Sequence, residues 1–180
     1  MTPTAPAPPK ATTAATVVVV MGVSGSGKST LATRLASGLG WDFLEGDLLH
    51  PAANVAKMQA GTPLDDADRQ PWLQAIAAWI AEHLHAGRNG VVACSALRRV
   101  YRDRLRDAGP GVRFVYLQVS RAVLYQRLRH RHHFMPASLL DSQLATLEEP
   151  HGDEHVLRVG NDGDINTTVA VIQHWLETDP

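Results

Sequence analysis

A chain of 180 residues, 44% hydrophobic and 19% charged, has the material for one globular domain with a substantial core. Its net charge of −1 offers no electrostatic pull toward nucleic acid or an anionic membrane, so the polyanion-binding classes are disfavoured. The one cysteine, Cys94, rules out an intrachain disulfide and fits a reducing compartment. No apolar run approaches the roughly 18 residues of a membrane-spanning helix. Residues 1–16 are rich in Ala, Pro and Thr and lack the apolar stretch of a signal peptide; they are expected to be a disordered tail. Residues 17–180 read as a single domain.

Residues 17–21 (VVVVM) are a continuous apolar run, as in a strand buried on both faces of a parallel sheet. The run stops at Gly22, and residues 22–29 read G-x-x-x-x-G-K-S. Leu31, Leu35 and Leu39 follow at helical spacing. Strand, glycine loop and helix in this order are the context of a phosphate-binding P-loop. Gly22, Gly25 and Gly27 let the backbone curl so that its N–H groups converge on an anion, at the positive end of the next helix. The expected nucleotide contacts are Gly22, Val23, Ser24, Gly25, Ser26, Gly27, Lys28, Ser29 and Thr30. Lys28 would reach the β- and γ-phosphates of ATP, and the Ser29 hydroxyl would ligate Mg²⁺.

Residues 41–45 predict a second strand, with Gly46-Asp47 leaving its carboxyl end. Pro51 opens a short helix to Ala60. After a polar stretch, Leu73, Ile76, Ala77, Ile80 and Leu84 carry a helix to Ala86, with Asp68 as its N-cap. Residues 91–94 form a third strand ending at Ser95. Leu97, Val100, Tyr101 and Leu105 mark a helix, and residues 112–119 a fourth strand. Helices follow over residues 121–131 and from Pro136, the latter carrying Leu140, Leu144 and Leu147. Residues 156–159 are the fifth strand, and Ile165, Val169, Ile172 and Leu176 mark the last helix. Such alternation predicts an α/β protein whose parallel sheet has helices on both faces.

Ligands of open α/β sheets bind beyond the carboxyl ends of the strands, which singles out Asp47. Phosphoryl transfer to an alcohol needs a carboxylate that accepts or positions the hydroxyl proton. Glu45 either holds a Mg²⁺-bound water or is a solvated strand-end carboxylate. Arg69 suits an acidic substrate, because a guanidinium grips a carboxylate with two parallel hydrogen bonds. For His50 and Lys57, contact with substrate and a solvated surface role both stand open. Ser95 and Arg98 follow the third strand and are candidates for substrate. Arg127 and Arg131 share a helix face and would supply transition-state charge from a basic segment closing over ATP. The nearby histidines have no zinc-type spacing to a Cys or carboxylate, which argues against a metal there.

Several stretches together resemble the gluconate kinases, small P-loop kinases related in fold to shikimate and adenylate kinases. They are the P-loop GVSGSGKS, Glu45 to Pro51 (EGDLLHP), Lys57-Met58, Pro63-Leu64, Asp66, Asp68 to Leu73 (DRQPWL), Cys94 to Arg98 (CSALR) and Tyr101-Arg102-Asp103. His133 to Pro136, Ser142-Gln143 and Thr146-Leu147-Glu148 complete the set. The resemblance spans about residues 17–175. It implies ATP-dependent phosphorylation of D-gluconate at its 6-hydroxyl, a three-layer P-loop kinase fold with a five-stranded parallel sheet, a helical lid at about 121–147, and a cytoplasmic homodimer. Asp47 is similar in position to the substrate-binding aspartate of related kinases, Arg69 to their carboxylate-binding arginine, and Arg127 and Arg131 to their lid arginines. Ala67 departs from the acidic residue common there. A kinase for another sugar acid or small hydroxy acid is the alternative. A GTPase switch would need Asn-Lys-x-Asp and Asp-x-x-Gly motifs, which the sequence lacks.

Overall fold

Valines at alternate positions of the first strand face opposite sides of one sheet, and this sorts the helices into two layers. A computed structural model describes residues 14–130 and 137–179. The strands are β1 (Val17–Met21), β2 (Asp42–Glu45), β3 (Gly90–Ala93), β4 (Val112–Gln118) and β5 (Val156–Gly160). The helices are α1 (Lys28–Leu39), α2 (Ala52–Gln59), α3 (Asp66–His85), α4 (Arg99–Arg106), α5 (Arg121–His130), α6 (Ala137–Thr146) and α7 (Ile165–Thr178). All strands pair in parallel, in the order β2-β3-β1-β4-β5. Val17, Val19 and Met21 pack with Trp72, Leu73, Ile76 and Ile80 of α3 and Leu105 of α4. Val18 and Val20 pack on the other face with Leu31 and Leu35 of α1 and Ile172 of α7. The result is a three-layer α/β fold with the P-loop on the central strand.

Residues 1–13 of the expected tail lie outside the described residues. Thr16, counted in that tail, is tied to the sheet: its N–H donates to Asn89 Oδ1 at 2.8 Å, and its carbonyl accepts from Gly90 N at 3.0 Å. Helix α3 starts earlier than the sequence suggests. Asp65, not Asp68, is its N-cap: Asp65 Oδ1 accepts from Asp68 N at 2.7 Å, and Asp68 Oδ2 from Asp65 N at 3.1 Å. This capping box satisfies two orphan donors at the start of a helix that also accommodates Pro71, whose missing N–H removes one backbone bond. Helix α4 starts later, at Arg99, because Ala96 holds a φ of +43° and keeps Leu97 in the loop. Among the described residues, no helix is long and apolar enough to cross a membrane.

Candidate active site

The P-loop joins β1 to α1. Gly27 caps α1 at φ +93°, a left-handed conformation that favours glycine, and a side chain there would run into the Asn161 amide. Lys28 Nζ donates to the Val23 carbonyl at 3.0 Å. The Ser26 hydroxyl is buried without a hydrogen-bond partner among the described residues. A loop of this shape, with a polar atom to spare, fits a polyphosphate.

Opposite the loop, Asp47 projects from a 3₁₀ turn, Gly46–Leu49, at the end of β2. Gly46 is buried, and a Cβ there would strike the Ala93 carbonyl of β3. The turn therefore sits hard against the sheet, and Trp72 Nε1 pins it by donating to the Gly46 carbonyl at 2.8 Å. His50 stacks on the same Trp72, with ring centroids 4.3 Å apart. Burial pushes the His50 imidazole below its ordinary value while Asp47 pulls it up. The nearby Arg69 charge adds to the lowering, so the surroundings favour the neutral ring, which can both donate and accept.

Arg69, on the first turns of α3, is held from behind. Its guanidinium donates to the Tyr101 hydroxyl at 3.3 Å and lies 5.6 Å from the centre of that ring. The Tyr101 hydroxyl in turn donates to Asp66, which also accepts from Arg98 Nη1 at 2.5 Å. These two bonds, Tyr101 first, hold the Asp66 carboxyl below its usual range. One pocket is lined by Ser24 and Lys28 of the P-loop together with Asp47, His50, Arg69 and Ser95. Met58, Leu64, Trp72, Leu97 and Leu139 give it an apolar wall.

The family described as an AAA domain matches residues 17–150. A gluconokinase of Gluconobacter oxydans is 56% identical over 146 residues, covering 81% of this chain and 82% of that one. The chain belongs to the gluconokinase family. The thermoresistant gluconokinase of Escherichia coli is 42% identical over 163 residues, covering 87% of this chain and 93% of its own. The crystal structure of a gluconokinase from Sinorhizobium meliloti superposes with a TM-score of 0.77 at 44% identity, covering 92% of this chain and 97% of that one. The three-layer P-loop fold and the kinase class follow from these matches.

Within this gluconokinase-family fold, other residues predicted at the site stand apart from the pocket. Lys57 Nζ donates to both Asp68 oxygens, at 2.7 and 2.8 Å, tying α2 to the start of α3. Arg98 is shared between Asp66 and Glu148, so two carboxylates already occupy its guanidinium. Arg127 bonds the carbonyls of Gly25 (3.3 Å), Ser26 (3.4 Å) and Asn161 (2.5 Å). It braces the P-loop to the end of β5 rather than reaching across the pocket. Arg131 and residues 132–136 lie outside the described residues.

Glu45 is half-buried at the end of β2, and Ser29 and Thr30 are exposed on the first turn of α1. Among the described residues, no cluster of three His, Cys, Asp or Glu could hold a metal alone. The Ser29 hydroxyl and the Glu45 carboxylate are hard oxygen donors of the kind a Mg²⁺ accepts when its remaining ligands are phosphate and water. The sequence reading gave no role to the Asp66–Tyr101 support of Arg69, nor to Ser142 and Gln143 in the pocket. All four lie in the stretches that carry the resemblance, which was the available signal.

Proposed function

We propose that this chain transfers the γ-phosphoryl group of ATP to the 6-hydroxyl of D-gluconate, giving 6-phospho-D-gluconate and ADP. The observation that carries this reading is that one pocket is lined by Ser24 and Lys28 together with Asp47 and Arg69. The P-loop amides and Lys28 hold the β- and γ-phosphates. Arg69 grips the carboxylate of gluconate and so sets the far end of the sugar acid. Asp47 accepts the 6-hydroxyl proton as the hydroxyl oxygen bonds to the γ-phosphorus and the bond to the β–γ bridging oxygen breaks. His50 and Ser95 meet the intermediate hydroxyls. Mg²⁺, when bound, neutralises phosphate charge; Ser29 would hold it directly and Glu45 through water. Residues 121–147 act as a lid that excludes water, itself a competing acceptor; Arg131 adds positive charge from that lid, while Arg127 holds the P-loop in shape through the Gly25, Ser26 and Asn161 carbonyls. The working form is a cytoplasmic homodimer, as the resemblance implies, and sedimentation equilibrium reads its mass directly.

A coupled ADP-release assay with gluconate, other aldonates and shikimate tests the substrate. Gluconate is expected to have the highest kcat/KM; a better acceptor among the others moves the assignment to a kinase of that acid. Arg69→Ala is expected to raise KM for gluconate by about tenfold or more, from the loss of a charged hydrogen-bond pair. KM for ATP should stay within about twofold in that variant. Equal effects on both substrates would remove the carboxylate clamp.

A further inference from the structure

One contact between the lid and the P-loop has no part in the mechanism above. Gln143 of α6 accepts a hydrogen bond from the Ser24 main-chain N–H at 2.6 Å, across 119 residues of chain. The partner is a donor, so the side-chain atom facing it is the carboxamide oxygen. Both ends of this bond are seated by the same packing. Leu140, one turn before Gln143, is buried with Val23, Leu97 and Leu124, and Val23 immediately precedes Ser24. Ser24, Lys28 and Gln143 line the pocket that holds Asp47. The bond thus lies where the phosphate loop opens onto the acceptor.

A main-chain amide at this place in a G-x-x-x-x-G-K-S loop is a donor for an anionic oxygen. We propose that Gln143 is a catalytic residue that contacts the transferring phosphoryl group. Its carboxamide oxygen stands on Ser24 N–H where an oxygen of the γ-phosphate is received. When the triphosphate takes that amide, the carboxamide turns its NH₂ donors onto the same phosphoryl group. The inference rests on the kinase reading above. One N–H does not serve two acceptors at full strength, so a nucleotide bearing a γ-phosphate displaces the side chain, whereas a diphosphate leaves it in place. The turned NH₂ then donates to equatorial oxygens, where charge is spread in a loose transition state.

Gln143 therefore tells ATP from ADP, and titration calorimetry reads this without turnover. MgADP and a non-hydrolysable imido analogue of ATP are titrated into the wild-type protein, Gln143→Glu and Gln143→Ala, with folding checked by circular dichroism. A glutamate holds the amide and repels the γ-phosphate. It is expected to weaken the analogue by about tenfold or more while changing ADP affinity by less than about threefold. Gln143→Ala is expected to lower kcat by about tenfold, the loss of one charge-assisted hydrogen bond, while ADP affinity stays within about threefold. Equal losses for the two nucleotides in the glutamate variant mark a merely structural bond and overturn the inference, as does wild-type kcat in the alanine variant. If the glutamate variant does not fold, the alanine variant decides. A wild-type protein that binds neither nucleotide overturns the kinase reading instead.

Discussion

Asp47→Asn is expected to lower kcat by on the order of 10²–10⁴, the usual contribution of a positioned general base. The affinity for MgATP, measured by calorimetry, should remain within about twofold, because the phosphates are held by the P-loop and Lys28. Asparagine keeps the size of the side chain, so the turn that carries it has no reason to move. That turn is set by Gly46 against the Ala93 carbonyl and by the Trp72 bond to the Gly46 carbonyl, and neither involves the carboxylate. A coupled ADP-release assay gives kcat, and turnover near that of the wild type would take Asp47 out of the mechanism.

Arg102→Met is expected to be the most destabilising of these changes, by about 3–5 kcal/mol, because it strands a buried charge. The Arg102 and Glu154 side chains are both 0% exposed, and they pair through two bonds of 2.6 and 2.9 Å. The third Arg102 nitrogen, Nη1, donates to the carbonyls of Ala96 (3.1 Å) and Leu97 (3.2 Å). Glu154 also accepts from His151 N at 3.1 Å. Arg102 pushes the Glu154 carboxyl down to about 2 from its ordinary 4.5. A depressed acid contributes stability that is complete above its unfolded value and is lost as pH falls through the folded one. Chemical denaturation should therefore show stability falling between about pH 4.5 and about pH 2, and Glu154→Gln should flatten that fall. The double variant Arg102→Met with Glu154→Gln should recover part of the loss, since neither side chain then leaves a charge behind. An Arg102→Met protein as stable as the wild type would mean that the pair contributes nothing.

The same pair explains why the loop after β3 is hard to read from residues alone. Ala96 adopts a left-handed φ of +43° without being glycine, Asn or Asp. Nothing local favours that conformation; Arg102 imposes it by collecting two successive carbonyls of the loop. Arg98 stands just after this bend and looks, by position, like a ligand for substrate. Its partners are Asp66 and Glu148, 32 and 50 residues away. Asp68 shows the same thing on a smaller scale: it resembles a cap but sits third in a box whose cap is Asp65.

Local pattern was enough for the P-loop, the alternation of strands with helices, and the placing of Asp47 at a strand end. Glycine spacing and hydrophobic period act over a few residues, and each has a direct conformational cause. The partners of Arg98, Arg102, Arg127 and Gln143 are of another kind. They follow from the strand order β2-β3-β1-β4-β5, which brings β2, β3 and the P-loop to one end of the sheet. Bonds such as Ser24 to Gln143 join residues 119 apart and depend on how whole layers pack. Packing of that range has no signature in the spacing of neighbours, so it emerges only when the folded chain sets its elements side by side.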